Sequence, residues 1–460
     1  MNARADTLIP GACPDCPPLH DGLEQRLRDR MHLADLRRNA IDWRGRLALG
    51  LALIGPGVLV MLGDNDAGGV VTYAQTGATY GLGIFLPMMI LLGIVAYVVQ
   101  EMTVRLGAVT RRGHAELIWK RYGAFWGWFS LVDLIVANVL TLMTEFVGIR
   151  LGGQALGLPA WLTVPAALAF ITYVLVFLRY WTWERISLFI AALNLIFVPL
   201  ALLAHPDWHR VAQAFSGHGW IVPGGFLSIT FLILISANIG TTIAPWQLFF
   251  QQSCVVDKGL LPQDIQAGRR DLMLGVAGMV VVAIALIVLA AQTLKGIPNA
   301  QGLDADVILQ ALRAKLGDGL MALFALGLME AGLIASIVIT ASSAWAVGEA
   351  FGIERSINAA PRQALGFYLP AIVGTAVAAV VVMIPGINLG FLNLSVQVIA
   401  TVFMPAAMLF LLMLLNDRDL MGAHVNSPAR NAVSIAIMLG LIACNGLYGI
   451  VTLFPHAFGG

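Results

Sequence analysis

Apolar stretches long enough to cross a lipid bilayer recur along almost the whole chain, and they constrain its fold more than any other feature. A membrane-spanning α-helix needs about 20 mostly apolar residues. The composition agrees, since 59% of the 460 residues are hydrophobic and only 12% are charged. Inside a bilayer every backbone polar group must be satisfied within the protein, so the pattern predicts a bundle of membrane-spanning α-helices.

We place eleven spans in a transmembrane domain at 47–455, which follows a soluble tail at 1–46. Their approximate bounds are 48–79, 82–106, 124–152, 160–179, 184–204, 225–252, 271–294, 319–350, 365–384, 389–414 and 432–454. The tail and alternate loops contain 22 of the 27 lysines and arginines. The positive-inside rule therefore predicts a multi-pass protein of the cell membrane with a cytoplasmic N-terminus and an extracytoplasmic C-terminus.

The first span carries two acids and an amide, Asp64, Asn65 and Asp66, followed by Gly68 and Gly69. A charge at mid-bilayer costs from about 3 to more than 10 kcal/mol, so such residues usually mark function. The glycine pair weakens the helix. We expect a helix broken around a cation site; the alternative is an acid pair that faces a polar interior without binding a ligand.

The sixth span has a second interruption, at Pro245 in the small and polar stretch 236–247. Proline removes a backbone donor and frees a carbonyl one turn earlier. A plain kink is the alternative. Because the two interruptions open the two halves of the span series, they favour a transporter built from inverted repeats, with its site between the broken helices.

Several function classes are not favoured by the composition. A formal net charge of +1 gives no indication of nucleic-acid binding, and four cysteines are too few for a disulfide framework. Cys13 and Cys16 have the spacing of a metal or redox pair but stand alone, in a tail that we expect to be disordered. A histidine proton relay has no candidate inside the spans, because every histidine falls in a predicted tail or loop: His20, His32, His114, His205, His209, His218, His424 and His456.

Short motifs in this order resemble those of the natural resistance-associated macrophage protein (Nramp) family of divalent-metal transporters. Gly55–Gly57 followed by Asp66 resembles the GPG…DPGN motif of the family's first helix, and Glu145–Gly148 is similar to its third-helix AEVIG motif. Gln397, eight residues before Pro405, matches the glutamine of the tenth helix. Two further segments resemble the end of the second helix and the loop after the tenth, namely Glu101–Gly107 and Asp419–Gly422.

The resemblance implies an all-α integral membrane protein with a LeuT-type 5+5 inverted-repeat bundle of about 11 transmembrane helices, in which helices 1 and 6 are broken. It implies a carrier of divalent cations by alternating access rather than an enzyme. The ion is then cargo, so we expect no cofactor, and we expect no partner beyond the cation and the lipid bilayer.

The departures from the family pattern resemble its branch of Nramp-related magnesium transporters. The sixth-helix MPH motif is Ala244-Pro245-Trp246 here, and DPGN is Asp66-Ala67-Gly68-Gly69. Soft sulfur and imidazole ligands favour transition-metal ions, and both are missing. Mg²⁺ prefers octahedral oxygen ligands and retains water. We therefore expect an oxygen-only site for a partly hydrated Mg²⁺, through which Mn²⁺ also passes.

Within that site we expect Asp66 to be the anionic ligand, Gln397 to supply a side-chain oxygen and the Thr241 region to supply carbonyls. Asp64, Asn65 and Gln247 would act directly or through water, with room left by Gly69 and Ala244. We assign further residues to the transport pathway: Trp246 and Pro245 at the break, Glu330 on the eighth span, and Glu145, whose position in the family belongs to a proton path. The alternatives are that Glu330 neutralises a buried partner and that Glu145 pairs with a polar neighbour or faces the vestibule.

Tight proton coupling is not expected, because the family's second acid on that path is Leu142 here. The membrane potential would drive cation uptake instead. Three alternatives remain: a proton-coupled Mn²⁺/Fe²⁺ importer, a sodium-coupled importer of organic solutes on the same fold, and a membrane enzyme or passive channel. The lack of a nucleophile–base constellation opposes the enzyme, and two separated breaks oppose the channel.

Overall fold

The structure, a computed structural model, describes the transmembrane domain almost completely. It covers residues 33, 35–36 and 42–453, apart from 218–219, 299, 304 and 354–355. The predicted tail, including Cys13 and Cys16, therefore lies almost entirely outside the described residues, as do His20, His32, His218 and His456.

Three helices form the first span and the segment that leads into it. These are α1 (Trp43–Leu53), α2 (Pro56–Leu62) and α3 (Ala67–Tyr80). Proline starts α2, where its missing N–H and fixed φ suit a first helical position. The chain leaves helical geometry at 63–66, where the sequence predicts the break.

The first half of the bundle continues through the second to fifth spans. Its helices are α4 (Phe85–Thr110), α5 (His114–Tyr122), α6 (Ala124–Ala155), α7 (Ala160–Phe177), α8 (Tyr180–Leu193) and α9 (Phe197–Leu203), with a 3₁₀ turn at Asn194–Ile196 that joins α8 to α9.

The second half repeats this plan and adds one peripheral span. Its helices are α10 (Trp208–Phe215), α11 (Ile229–Thr242), α12 (Pro245–Lys258), α13 (Ile265–Thr293), α14 (Ala305–Leu316), α15 (Asp318–Phe351), α16 (Leu365–Met383), α17 (Leu389–Leu415), α18 (Arg418–Met421) and α19 (Pro428–Leu453). The sixth span breaks between α11 and α12, where Pro245 is the first residue of α12.

The number of spans agrees with the expectation. Among the described residues, ten helices are long and apolar enough to cross a membrane, and eleven if the bent pair α1 and α2 counts as one span. Three segments that the sequence suggests are loops contain α5, α10 and α14 instead. These helices are short and amphipathic, so they lack the long apolar run that marks a span.

The two broken spans lie at the centre of the bundle. α13 packs along both α2 and α3, α11 packs against α17, and α15 packs along the whole of α6. Glycine permits the close approach of α13 to α2: a β-carbon on Gly275 of α13 would lie 2.5 Å from the carbonyl oxygen of Gly57 in α2. Both breaks are therefore enclosed by other helices, where free backbone groups must find partners inside the protein.

Candidate metal-binding site

Asp66 occupies the first break as the N-cap of α3. Its Oδ1 accepts a hydrogen bond from the backbone N–H of Gly69 at 2.5 Å, and the hydroxyl of Thr241 donates to the same oxygen at 3.4 Å. A β-carbon at Gly69 would lie 2.7 Å from the Thr241 hydroxyl oxygen. The missing side chain at Gly69 thus lets the sixth span approach Asp66, rather than leaving an open space as the sequence suggests.

A second carboxylate stands at the same helix end. Glu145 of α6 accepts from the backbone N–H of Ala67 at 2.9 Å through Oε2 and from the hydroxyl of Thr144 at 2.9 Å through Oε1. Carboxylates at a helix N-terminus are stabilised by the exposed N–H groups and by the helix dipole. Where the family motif has proline, Ala67 supplies the N–H that Glu145 uses. Glu145 therefore belongs to the wall of the break.

Asp64 is held by an amide from the sixth span. The Nε2 of Gln247 donates to Asp64 Oδ1, and the Oε1 of Gln247 accepts from Nε2 of Gln100 at 3.0 Å. Both ends of the Gln247 amide are thus used in protein contacts, which makes it a positioning residue for Asp64. The other Asp64 oxygen, Oδ2, is buried without a hydrogen-bond partner.

Asn65 faces the seventh span. Its Nδ2 donates to the carbonyl of Met279 at 3.3 Å, and its Oδ1 is buried without a partner. Just before it, the Leu62 carbonyl accepts from Nδ2 of Asn194 at 3.2 Å. Asn194 lies in the 3₁₀ turn of the fifth span, so a local irregularity there supports the break in the first span.

The sixth-span break places free backbone beside Asp66. Ile243 and Ala244 have extended backbone angles, and Pro245 has no N–H to offer the Thr241 carbonyl one turn earlier. Ala244 is 4% exposed, so its methyl group faces the protein interior.

Trp246, at the position of the family's histidine, is buried and packs against Phe250 with ring centroids 6.0 Å apart. Its ring also reaches Gly63 at the first break, where a β-carbon would lie 3.9 Å from an indole carbon. Trp246 thus fills volume between the two broken spans and offers no imidazole.

Gln397 of α17 lies against α3 next to Asp66. A β-carbon on Gly68 would be 2.1 Å from the Gln397 amide nitrogen, and that nitrogen is buried without a partner. One turn earlier, Nδ2 of Asn393 donates to the Gly68 carbonyl at 3.2 Å. The tenth span therefore brings two amide side chains to the first turn of α3.

The gathered side chains are closed off from solvent on both sides. Each of the six predicted ligand side chains is at most 2% exposed: Asp64, Asn65, Asp66, Thr241, Gln247 and Gln397. Among the described residues there is no cluster of three or more His, Cys, Asp and Glu side chains with metal-binding geometry. The predicted ligands offer instead the two carboxylates of Asp64 and Asp66 with amide, hydroxyl and backbone oxygens, and Glu145 adds a third carboxylate in the wall of the break.

Glu330 does not share these contacts. It is 7% exposed, and both of its carboxylate oxygens are buried without a hydrogen-bond partner. The alternative in which Glu330 neutralises a buried partner has no such partner in the described part of the chain.

His114 lies between the second and third spans, as the sequence predicts, but in a buried helix rather than in an irregular loop. It begins α5, is fully buried, and packs its ring edge-on against Phe249 with centroids 4.7 Å apart. Its Nδ1 lies 3.1 Å from Oε1 of Gln252. Burial lowers the pKa of His114, which lies between the second and third spans, to about 4.

Sequence reasoning missed four residues near the site: Gln100, Asn194, Asn393 and Tyr73. The Tyr73 hydroxyl is buried in α3 without a hydrogen-bond partner. For Gln100, Asn194 and Asn393, the signal in the sequence was an amide side chain inside an apolar helix, because an amide in a membrane span requires a partner. The sequence did not indicate which helix faces they occupy.

Comparisons with known proteins show what the chain is similar to. A family model described as "Natural resistance-associated macrophage protein-like" matches residues 57–451. The divalent metal cation transporter MntH of Aeromonas hydrophila subsp. hydrophila is 26% identical over 402 residues, which is 85% of this chain and 95% of that protein. The divalent metal cation transporter MntH of Deinococcus radiodurans is 25% identical over 415 residues, with coverages of 86% and 89%.

A solved structure shows the same fold. The crystal structure of the Eremococcus coleocola manganese transporter, in complex with an aromatic bis-isothiourea substituted compound, matches with a TM-score of 0.72 at 20% identity. The match covers 89% of this chain and 88% of that chain. The LeuT-type helical bundle expected from the sequence is therefore confirmed.

Proposed function

We propose that this protein, which belongs to the Nramp family, imports Mg²⁺, and Mn²⁺ as well, as a partly hydrated ion by alternating access. At the level of the family it is a multi-pass membrane transporter of divalent metal cations and not an enzyme. The metal ion is its cargo, and the family needs no cofactor.

One observation carries the choice of Mg²⁺. The side chains at the two breaks offer carboxylate, amide and hydroxyl oxygens, while Ala244 and Trp246 replace the thioether and imidazole of the family motif. Soft ligands are what favour transition-metal ions over Mg²⁺, so their loss removes the basis for rejecting a hard cation.

The unpaired oxygens support a hydrated ion. Asp64 Oδ2 and Asn65 Oδ1 are buried without hydrogen bonds, and a buried acceptor without a partner is costly. Mg²⁺ usually keeps several waters and is bound through one or two carboxylates. This coordination preference fits a site in which Asp66 is the direct ligand and Asp64 and Asn65 contact retained water.

The replacement of the family's second acid on the proton path by Leu142 supports transport without tight proton coupling. Glu145 itself has both carboxylate oxygens in contact with protein groups, the Ala67 N–H and the Thr144 hydroxyl. The membrane potential favours inward movement of a cation, since it contributes about 2.3 kcal/mol per charge per 100 mV.

A proton-coupled Mn²⁺/Fe²⁺ importer is the second candidate. It is favoured by the relatives, because the Eremococcus coleocola protein is a manganese transporter. Mn²⁺ also accepts oxygen ligands, so the site residues fit this ion as well. The organic-solute alternative is set aside because the family carries divalent metal cations.

Ion uptake into proteoliposomes with an internal pH reporter distinguishes the two. We expect Mg²⁺ and Mn²⁺ uptake, driven by an imposed potential, without acidification of the lumen. Ca²⁺ serves as the comparison ion of larger radius. Mn²⁺ uptake with acidification, in the absence of Mg²⁺ uptake, would contradict the proposal.

The same assay tests the primary ligand. We expect Asp66→Ala to reduce Mg²⁺ uptake to background, because it removes the anionic ligand at the break. Asp133→Ala is the matched control: Asp133 is half-buried on α6, twelve residues or about 18 Å along the helix from Glu145. Near-normal uptake by a folded Asp66→Ala protein would place the site elsewhere.

A further inference from the structure

A crevice lies between the second span, the start of the seventh and the last span, away from the broken helices. Its volume is about 550 Å³, and a second cavity of about 260 Å³ adjoins it. The two cavities share Arg105, Gln266, Arg269 and Arg430 in their linings. The larger falls within the range of small-molecule sites, about 300–1,000 Å³.

The polar side of the crevice carries an excess of positive charge. Arg269 donates from Nε and Nη2 to Oε1 of Glu101 at 3.0 and 2.6 Å, and Arg105 donates from Nη2 to the other Glu101 oxygen at 3.2 Å. Arg430 is exposed at the mouth of the crevice. The lining therefore contains three guanidinium groups and one carboxylate, which favours an anionic ligand.

Arg105 also retains an unused donor. Its side chain is only 2% exposed, with Nη1 donating to the His424 carbonyl at 2.9 Å and Nη2 to Asn426 Oδ1 at 2.7 Å. The Nε–H is buried without a partner. Because its side chain is buried, Arg105 contributes positive charge to the crevice wall rather than a donor that a ligand can reach.

The remaining wall is apolar, and part of it is exposed on the outer surface of the bundle. It is formed by the half-buried Val98 and the buried Met102 on α4 and by Val433 on α19. Val433 is 49% exposed, and only 11% of the apolar stretch of α19 is buried. A molecule in the crevice can therefore extend an apolar chain along this wall into the surrounding lipid.

We infer that this crevice binds an anionic phospholipid. Its phosphate contacts Arg269 and Arg430, with the buried Arg105 adding positive charge behind them, and its acyl chain lies against Val98 and Val433. Basic pockets between spans on the cytoplasmic side are typical sites for anionic lipid headgroups, and the positive-inside rule assigns this end of the bundle to the cytoplasm. A free phosphate would use the arginines but not the apolar wall, which is why we assign a lipid.

Native mass spectrometry of the full-length protein in detergent tests the site. The probes are phosphatidylglycerol and phosphatidylcholine with identical acyl chains. We expect phosphatidylglycerol to be retained more strongly and to raise the melting temperature more. Equal retention of the two lipids would overturn the inference.

Two substitutions that each remove one positive charge distinguish binding in the crevice from a general effect of surface charge. Arg430→Gln removes a lining arginine, whereas Arg270→Gln removes an exposed arginine of α13 that does not line the crevice. We expect about five-fold weaker phosphatidylglycerol binding for Arg430→Gln, since one basic residue near an anionic lipid surface is worth roughly 1 kcal/mol. Arg270→Gln should bind nearly as the wild type, and equal losses in the two variants would refute the site.

A third variant and a soluble probe test the apolar part. Val433→Trp fills the wall and leaves the arginines in place, so we expect it to weaken lipid binding as well. Glycerol 3-phosphate, which has the anionic group without the chain, should stabilise the protein less than phosphatidylglycerol does. Equal stabilisation by glycerol 3-phosphate, or unchanged lipid binding by Val433→Trp, would show a free-anion site and overturn the lipid assignment.

Discussion

The carboxylate of Asp66 has capacity beyond the two hydrogen bonds that it accepts. Its Oδ1 is used by Gly69 and Thr241, and an ionised carboxylate offers about four lone-pair sites. Helix capping through Oδ1 fixes the side chain in one orientation. Pre-oriented ligands of this kind reduce the entropy lost when the ion binds.

The residue at position 244 decides whether the site contains a soft ligand. We expect Ala244→Met to strengthen binding of Cd²⁺ and Mn²⁺ relative to Mg²⁺ by roughly tenfold, the scale of other changes around metal ligands. Competition calorimetry measures the ratio. Ile239→Met is the control, since it adds the same thioether at a half-buried position of α11. Unchanged selectivity in Ala244→Met would show that this position does not face the ion.

His114 gives the fold a specific dependence on pH. Its folded-state pKa of about 4 lies below the value of about 6.5 in an unfolded chain. Between these values the unfolded chain binds a proton that the folded chain does not, so stability falls as pH decreases through this window, by at most about 1.4 kcal/mol per unit.

We therefore expect His114→Gln to reduce the loss of melting temperature between pH 7 and pH 5, measured in detergent. The control is His209→Gln, because His209 is exposed on α10. If both variants showed the same decrease in melting temperature as the wild type, the buried imidazole would not be the cause of the pH dependence.

At the scale of the elements, α2 is held at its N-terminal end by charged groups from three other spans. The carboxylate of Asp271 accepts from the N–H groups of Gly55 and Gly57 at 3.0 and 2.7 Å. Lys258 donates from Nζ to the Ile54 carbonyl at 2.7 Å and to Glu184 Oε1 at 2.8 Å. These contacts hold the N-terminal half of the first span against α13.

Lys258 and Glu184 form a buried ion pair, at 0% and 2% side-chain exposure. Removing one partner leaves an uncompensated charge, which typically costs 3–5 kcal/mol. We expect Lys258→Met and Glu184→Leu each to lower the melting temperature strongly, and the double variant to be more stable than the sum of the two losses implies. Additive losses in a thermal double-mutant cycle would argue against this coupling.

At the scale of the whole molecule, the structure is an occluded state. With the predicted ligands at most 2% exposed, an ion reaches them only when helices move. Rigid-body motion of one bundle against the other is the usual mechanism of inverted-repeat carriers. The two broken spans are the elements through which such motion would open the site to alternate sides.

The orientation of the molecule is a prediction of the positive-inside rule. We expect a cysteine introduced at the exposed Gln213 of α10 to react with a membrane-impermeant thiol reagent in intact cells. A cysteine at the exposed Gln363, before α16, should react only after the membrane is opened. The background is the protein with its four cysteines replaced. The reverse labelling pattern would show that the topology is opposite to the predicted one.

The sequence by itself determined the spans, the two breaks and the absence of soft ligands at the second break. These features are local: apolar length, a glycine or proline, and the residue types on each side of it. The short helices α5, α10 and α14 were not predicted, because their mixture of polar and apolar residues resembles that of a polar loop.

Only the tertiary structure decided which oxygens remain unpaired and which are used. Gln247 meets Asp64 across 183 residues of chain, and Glu145 meets the N–H of Ala67 across 78. Such contacts depend on how each helix is rotated and how far it slides against its neighbours. The packing of many side chains sets these quantities together, so residue type and spacing do not reveal them.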